Sequence, residues 1–169
     1  IGPNDPIVYP ADAAELSFEA ELAVVIKTLA KNIPAERASD VILGYTCAND
    51  LTVRDAQREE SQWFRAKAFD TSCPLGPWIE TDLETANARI RSRVNGEVKQ
   101  DGTSADMLRG IPELIEEITR STTLLPGDVI LTGTPAGVGL VNVGDTVEID
   151  IDGIGTLTNR IVSPEELEA

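Results

Sequence analysis

Two glutamates, Glu19 and Glu21, lie one residue apart in the otherwise apolar segment 18–26. Side chains alternate along a strand, so both glutamates project from one face, with backbones roughly 6.6 Å apart from two residues of strand rise. Two like charges beside so apolar a segment are costly unless a cation neutralises them or one carboxylate takes up a proton. The pair therefore predicts a metal site. The alternative is an exposed edge strand with solvated glutamates.

A third acid, Asp50, ends the apolar run that begins at Val41. A carboxylate in this position either caps the following helix or points into a site, and taken alone the cap is slightly favoured. Beside the glutamate pair, Asp50 becomes a candidate third ligand. Three carboxylates without His or Cys suit a hard divalent ion, Mg²⁺ or Mn²⁺, whose coordination is completed by waters or substrate oxygens.

Two basic residues are candidates for holding an acidic substrate beside such an ion. Arg54 lies one helical turn after Asp50 and is either a substrate ligand or half of a surface ion pair. Gln57 falls one turn later, on roughly the same helical face. Lys67 stands between two alanines, an apolar setting that is unusual for a solvated lysine. We therefore interpret Lys67 as a candidate catalytic cation.

The glycine-rich segment 132–139 is a further candidate for binding an anion. A phosphate loop is a weak interpretation, because no Gly-Lys-Ser/Thr follows and no helical pattern begins after it. A better interpretation has backbone amides and the Thr134 hydroxyl presented to a carboxylate. A glycine-rich turn between strands is the alternative. Four other acids are interpreted as structural: Asp55, Asp70, Asp128 and Asp145.

Length and composition restrict the possible functions. A chain of 169 residues with 41% hydrophobic residues fits one domain with a core. The net charge of −15 argues against nucleic acid and anionic membranes as partners, and no segment has the length of a membrane helix. The absence of histidine excludes Ser-His-Asp and Cys-His catalysis and His-ligated metal sites within this chain. Cys47 and Cys73 fit neither a disulfide framework nor a zinc motif, which favours the cytoplasm.

Strands outnumber helices in the pattern of hydrophobic residues, which predicts an α+β fold on a mixed or antiparallel sheet. Asn95-Gly96 is a strong signal for a β-hairpin. Strands are predicted at 7–9, 17–27, 41–47, 88–94, 129–132, 147–151 and 155–161. Helices are predicted at 34–40, from about 53 to 60 and at 112–121, and residues 61–77 are predicted to be irregular.

Six segments, in this order, resemble the C-terminal catalytic domain of the fumarylacetoacetate hydrolase family. They are 19–25, 44–57, 63–67, 94–96, 125–130 and 132–139, and the resemblance runs from residue 1 to about 162. It implies a mixed β-roll or sandwich and usually a homodimer. It implies metal ligands at Glu19, Glu21 and Asp50, and substrate contacts from Arg54, Gln57, Lys67 and Thr134.

The resemblance also implies an activity on 2-oxo or 2,4-dioxo acids. The first expectation is Mg²⁺-dependent hydrolysis of a C–C bond in an acylpyruvate, such as fumarylpyruvate or acetylpyruvate, through an enolate. Lys67 would stabilise the developing oxyanion, and Arg54 would bind the distal carboxylate. Decarboxylation of oxaloacetate and isomerisation of 2-hydroxyhepta-2,4-diene-1,7-dioate are alternatives on the same site. A Schiff-base lyase that uses Lys67 and a non-enzymatic binding module are alternatives of other classes.

Members of this family carry a His and a Glu on a mobile lid upstream of the catalytic domain. The sequence begins after that point, and residues 1–169 are interpreted as a single catalytic domain. Hydrolysis needs a base that deprotonates water. We therefore expect an upstream segment to supply this base and to close over the site.

Overall fold

The computed structural model describes residues 1–167, which form three β-sheets flanked by short helices. The strands are β1 Ile7–Val8, β2 Leu16–Phe18, β3 Ala20–Ile26, β4 Ile42–Asn49, β5 Thr52–Val53, β6 Leu75–Glu80, β7 Arg89–Val94, β8 Glu97–Thr103, β9 Val129–Leu131, β10 Gly139–Val141, β11 Thr146–Ile151 and β12 Gly155–Val162. The α-helices are α1 Arg54–Glu59, α2 Phe64–Lys67, α3 Ile111–Ser121 and α4 Pro164–Leu167, and 3₁₀ turns lie at Ala35–Asp40 and Ser104–Asp106. The predicted α+β class is confirmed.

The largest sheet has five strands in the order β1-β12-β11-β7-β8. Its β1–β12 pair is parallel and its other pairs are antiparallel, so the sheet is mixed, as predicted. The predicted hairpin joins β7 to β8, and Asn95 and Gly96 both have positive φ angles, 52° and 82°. This is the conformation that an Asn-Gly hairpin turn requires.

Two smaller antiparallel sheets carry the acidic residues. The four-stranded sheet has the order β6-β4-β3-β9, and the three-stranded sheet has the order β10-β2-β5. Strands β3 and β4 contact β7, β11 and β12 of the five-stranded sheet, and one continuous apolar core lies among them. All seven residues of β3 are buried, whereas β11 alternates buried and half-buried positions. A strand covered on both faces needs a nearly continuous apolar sequence, which explains the pattern of β3.

Three segments differ from the prediction. The single strand predicted at 17–27 is wrong, because the chain leaves the ladder at Glu19 and forms two strands in different sheets. The segment 61–77 is not irregular throughout, since it contains α2 and the start of β6. The helix predicted at 34–40 is a 3₁₀ helix. No helix in the described part of the chain has the length and apolar character needed to cross a membrane.

Candidate metal centre

Three carboxylates converge where β2, β3 and β4 meet. Glu19 occupies the one-residue gap between β2 and β3, Glu21 lies in β3, and Asp50 directly follows β4. One carboxylate oxygen from each residue lies within 4.8 Å of the others. Glu19 and Glu21 are buried, and Asp50 is half-buried. The structure therefore brings together the three residues that the sequence analysis named as ligands, and their all-oxygen donor set fits a hard divalent ion.

The backbone around Glu19 explains how the three acids meet. In the antiparallel β3–β4 pair, Ala20 lies opposite Asn49, which places Asp50 next to Glu19. The Asp50 N–H donates to the Glu19 carbonyl at 2.9 Å, and the Glu19 N–H donates to Asn49 Oδ1 at 3.0 Å. The Asn49 side-chain oxygen thus takes the place of the backbone carbonyl of a neighbouring strand, at the point where strand pairing is interrupted.

Lys67, the last residue of α2, connects two of the acids. Its Nζ lies 2.8 Å from Glu19 Oε2 and 2.5 Å from Asp50 Oδ2. Burial lowers the pKa of Lys67, but the hydrogen bonds to Asp50 and Glu19 outweigh burial, so the pKa is raised. The ammonium is therefore held in its charged form. A Schiff-base lysine must be neutral to attack a carbonyl, so this environment argues against the lyase alternative.

Arg54, the first residue of α1, also contacts an acid of the centre. Its Nη2 lies 2.5 Å from Glu19 Oε1 and 3.1 Å from Ser17 Oγ, and its Nη1 donates to Gln57 Oε1 at 2.8 Å. Arg54 is therefore not the surface ion pair that was weighed as its alternative. Its contact with Glu19 means that both carboxylate oxygens of Glu19 have a cationic partner, Arg54 on one side and Lys67 on the other.

Glu21 has no such cationic partner within hydrogen-bonding distance in the described structure. Its Oε2 accepts the Gly133 N–H at 2.6 Å. Burial is the main cause that raises the pKa of Glu21 to about 7, and the charges of Asp50 and Glu19 raise it further, against the opposing Gly133 N–H. Burial also raises the pKa of Asp50, against the contacts with Lys67. A bound dication would offset both penalties, so the residues present fit a metal.

Thr134 lies in the loop that supplies the Gly133 N–H. Its Oγ1 donates to the Ala20 carbonyl at 2.8 Å and accepts from Gln100 Nε2 at 2.7 Å. One backbone amide of this loop, that of Gly133, does meet a carboxylate, but it is that of Glu21 and not of a bound anion, and the Thr134 hydroxyl donates to a backbone carbonyl instead. Residues 132–138 connect β9 to β10, so the segment is also the turn between strands that was its alternative.

Two residues of the site were missed by the sequence analysis. Asn49 and Gln100 are buried side-chain amides, and each accepts a backbone N–H at the break in the strand, from Glu19 and from Ala20. Asn49 directly precedes a named acid in a polar stretch, which is a local signal. Gln100 has none, because its partner Ala20 is 80 residues away in sequence.

The acids that were interpreted as structural lie outside the centre. Asp55 accepts the N–H groups of Ala14 and Glu15, and Asp128 accepts the N–H of Leu125. Asp145 accepts from the Asn142 N–H and from Asn95 Nδ2. Asp128 and Asp145 stabilise turns at strand entrances, as their positions indicated, whereas Asp55 holds the segment before β2.

Comparison with known proteins identifies the family. Residues 1–162 match the family described as fumarylacetoacetate (FAA) hydrolase, C-terminal. The chain belongs to this family, and the resemblance derived from its motifs is confirmed.

Relatives of known name carry different activities. The oxaloacetate tautomerase YisK of Bacillus subtilis is 44% identical over 158 residues, which cover 88% of this chain and 52% of that protein. The structure of 2-hydroxyhepta-2,4-diene-1,7-dioate isomerase from Mycobacterium marinum has a TM-score of 0.95 at 52% identity, and covers 96% of this chain and 65% of its own. Fumarylpyruvate hydrolase from Pseudomonas aeruginosa, in complex with Mn²⁺ and pyruvate, has a TM-score of 0.89 at 31% identity, over 96% of this chain and 73% of its own.

The chain spans only part of the proteins that it matches. A relative from Mycobacterium tuberculosis is 54% identical over 165 residues, which cover 96% of this chain but 62% of the relative. The family match and the geometry of the three acids therefore establish that the chain belongs to the family and has a carboxylate centre suited to a divalent cation. The reaction, the substrate and the partners of the whole protein are matters for proposal.

Proposed function

We propose that this chain catalyses the interconversion of keto and enol forms of a small 2-oxo acid, with Mg²⁺ or Mn²⁺ held by Glu19, Glu21 and Asp50. The observation that carries this proposal is the position of Lys67, whose ammonium lies against two of the three carboxylates. A substrate oxygen at this place would meet a fixed positive charge. The names of an oxaloacetate tautomerase and a diene-dioate isomerase among the relatives support the same chemistry.

Keto–enol interconversion moves a proton from the carbon next to the 2-oxo group to a base, which we expect the upstream segment to supply, and then protonates the oxygen to give the enol. The intermediate carries negative charge on that oxygen, and stabilising this charge lowers the barrier. When bound, a divalent cation supplies a Lewis acid that polarises the substrate carbonyl. Lys67 supplies a positive charge whose location is fixed by its hydrogen bonds to Glu19 and Asp50. Fixed charges need no reorganisation during the reaction, which is why they are more effective than solvent.

Substrate binding is assigned to the groups at the edge of the centre. Arg54 and Gln57 are hydrogen-bonded to each other and are both half-buried, so both reach solvent, and Arg54 also contacts Glu19. The Gly133 amide contacts Glu21, and Thr134 follows it in the chain. An anionic substrate would gain from Arg54 even while the guanidinium holds Glu19, because the charge acts beyond one contact.

Hydrolysis of a C–C bond in an acylpyruvate, the first expectation from the sequence, is the second candidate. The observation that favours it is the likeness to fumarylpyruvate hydrolase in complex with Mn²⁺ and pyruvate. Both reactions form the same kind of enolate. They differ in whether a water molecule is activated to attack the acyl carbon. Decarboxylation of oxaloacetate would use the same enolate without a water.

A panel of substrates with and without metal tests the proposal. The purified chain would be assayed with Mg²⁺, with Mn²⁺ and with EDTA on oxaloacetate, acetylpyruvate, fumarylpyruvate and a hydroxy-diene dioate. Loss of the enol absorbance of oxaloacetate, accelerated by metal and abolished by EDTA, is the expected result. Lys31→Met serves as a control for the Lys67→Met variant, because Lys31 is exposed and bonds only the Arg120 carbonyl among the described contacts.

The outcomes separate the candidates. Formation of pyruvate from an acylpyruvate without enolisation of oxaloacetate would make hydrolysis the function. Formation of pyruvate and CO₂ from oxaloacetate would indicate the decarboxylase. No metal-dependent turnover of any of these acids, with the expected upstream segment present, would contradict the proposal and favour a binding module.

A further inference from the structure

Gln100 lies on β8 of the five-stranded sheet, outside the set of acids and cations, yet it is joined to the candidate metal centre. Its side chain is fully buried, with 0% exposed. Its Oε1 accepts the Ala20 N–H at 3.0 Å, and its Nε2 donates to Thr134 Oγ1 at 2.7 Å and to the Pro135 carbonyl at 2.8 Å. Both amide hydrogens and the amide oxygen therefore have partners.

These partners belong to the two segments that orient Glu21. Ala20 is the residue between the two glutamates of the centre, and Thr134 and Pro135 follow the Gly133 whose N–H binds Glu21. Thr134 Oγ1 donates back to the Ala20 carbonyl at 2.8 Å, which closes a ring of hydrogen bonds through Gln100. Gln100 is thus the side chain from the other sheet that links the strand of the glutamates to the loop.

Close packing leaves the loop little freedom to move along β8. Gly137 has a φ angle of +103°, and a Cβ there would collide with the carbonyl oxygen of Lys99. A Cβ on Gly102 would lie 2.6 Å from the Cβ of Pro135. The two glycines let the loop and the strand approach until the Gln100 amide reaches both backbone segments. An apolar side chain in place of Gln100 would therefore leave the Ala20 N–H and the Pro135 carbonyl without this partner in a tight contact.

We infer that Gln100 is a positioning residue for the candidate metal centre. Its amide sets the place at which the Gly133 N–H meets the Glu21 carboxylate. Without the amide, the Ala20 N–H loses its partner in a fully buried place and the Pro135 carbonyl loses one in a half-buried place, which is costly. Movement of the loop toward water relieves this cost and takes the Gly133 N–H away from Glu21. The inference rests on the proposed function only in requiring that the centre binds a divalent cation.

Two matched variants test this role. Gln100→Met removes the amide with little change in side-chain length. Asn159→Leu is the control, because Asn159 is also buried, and its Nδ2 donates to the carbonyls of Gly2 and Asp5, both at 2.9 Å, far along the chain from the centre. Both variants should lower the melting temperature. In calorimetric titrations with Mn²⁺ alone, only Gln100→Met should weaken binding, by at least about tenfold, as is usual when the partner of a metal ligand is lost.

A second measurement does not depend on metal. Hydrogen exchange of the amides in residues 132–135, followed with EDTA present, should be at least about tenfold faster in Gln100→Met than in the wild type and unchanged in Asn159→Leu. If the wild type binds no Mn²⁺, the proposed function fails, and the exchange rates still decide whether Gln100 positions the loop.

The inference is overturned if Gln100→Met binds Mn²⁺ as tightly as the wild type with unchanged exchange in the loop, or if Asn159→Leu weakens Mn²⁺ binding to the same extent. If Gln100→Met does not fold, Thr134→Val tests the same ring, because it removes the hydroxyl that links Gln100 to Ala20. We expect Thr134→Val to lower Mn²⁺ affinity and to speed hydrogen exchange in the loop, both by less than Gln100→Met does. Unchanged values for Thr134→Val would also overturn the inference.

Discussion

Two regions of this molecule bring carboxylates and basic side chains together, with different consequences. One is the candidate metal centre. The other, called here the charge ladder, consists of Arg89, Arg91 and Arg93 of β7 with Asp101, Asp150 and Asp152 on and beside its neighbouring strands. In the ladder, Arg89 contacts Asp101, Arg91 contacts both Asp150 and Asp152, and Arg93 contacts Asp150. Each aspartate of the ladder therefore has an arginine.

Burial separates the exposed Arg89–Asp101 pair of the ladder from the glutamates of the centre, whereas Asp150 of the ladder and Asp50 of the centre are exposed to a similar extent. The side chains of Arg89 and Asp101 are 52% and 42% exposed, whereas the side chain of Glu19 is 10% exposed. The hydrogen bond from Arg89 lowers the pKa of Asp101. At the metal centre, burial raises the pKa of Glu21 to about 7. The same functional group is thus made a stronger acid in one region and a weaker acid in the other.

The balance of charge explains why only one region suits a cation. Three aspartates and three arginines neutralise one another in the ladder. The centre has three carboxylates and two basic side chains, and both basic residues contact Glu19. Glu21 is left with one backbone N–H and two like charges nearby. A cluster of acids therefore indicates a metal when it is buried and incompletely neutralised, not merely because the acids are close.

The largest expected effect is the loss of metal binding and activity on changing Glu21. Glu21→Gln removes the carboxylate that lacks a cationic partner, and we expect Mn²⁺ affinity to fall by at least about 100-fold, with loss of metal-dependent turnover. Asp101→Asn in the charge ladder should change neither Mn²⁺ affinity nor metal-dependent turnover. The measurements are calorimetric titration with Mn²⁺ and the assay with oxaloacetate. Retention of Mn²⁺ binding by Glu21→Gln would remove Glu21 from the centre.

A second effect should separate catalysis from metal binding. Lys67→Met should lower kcat by about 100-fold to 1,000-fold, the usual cost of losing a donor to a developing oxyanion, with a much smaller change in Mn²⁺ affinity. The assay and the titration used for Glu21→Gln measure both quantities. Equal losses in kcat and in Mn²⁺ affinity would assign Lys67 a structural role.

A third effect concerns stability, and its sign should differ between the two regions. In EDTA at pH 8, Glu21→Gln should be at least as stable as the wild type, because the folded state no longer contains a buried charge that burial disfavours. Asp150→Asn should be less stable by about 1–2 kcal/mol, because two half-buried arginines lose a carboxylate. Urea denaturation measures both. A destabilised Glu21→Gln would show that Glu21 is fully compensated without metal.

The sequence was sufficient for the parts of the centre that depend on residue type and local pattern. Glu19 and Glu21 were found because acids are rare in apolar strand patterns, Asp50 because it ends an apolar run, and the β7–β8 hairpin because Asn-Gly demands positive φ angles. The break at Glu19 was not predicted, since a period-two pattern of side chains continues through it. Its cause lies in the amides of Asn49 and Gln100, which reach the strand from residues 30 and 80 positions away.

The contacts of the basic residues could not be predicted from the local sequence pattern either. Arg54 was weighed as a substrate ligand or as half of a surface pair, but its guanidinium contacts Glu19, which is 35 residues earlier in the chain. Lys67 lies 48 residues from Glu19. Such contacts depend on how β2, β4 and the two short helices are arranged in space. The alanines on both sides of Lys67 indicated that this lysine was unusual, but they could not specify which acid it would contact.

The smallest expected effect tests whether the charge ladder is independent of the metal centre. Asp101 has a lowered pKa, so its contribution to stability is present above its unfolded pKa and is lost as pH falls through the folded value. Arg89→Gln removes the hydrogen bond that is the main cause, and the pKa of Asp101 should rise toward its ordinary range in an NMR titration. Because Asp101 is exposed, the change in stability should be slight, and Mn²⁺ affinity should stay at the wild-type value. A weaker affinity for Mn²⁺ in Arg89→Gln would mean that β8 transmits changes from the ladder to the loop held by Gln100, and the two regions would then have to be treated as one electrostatic and mechanical unit.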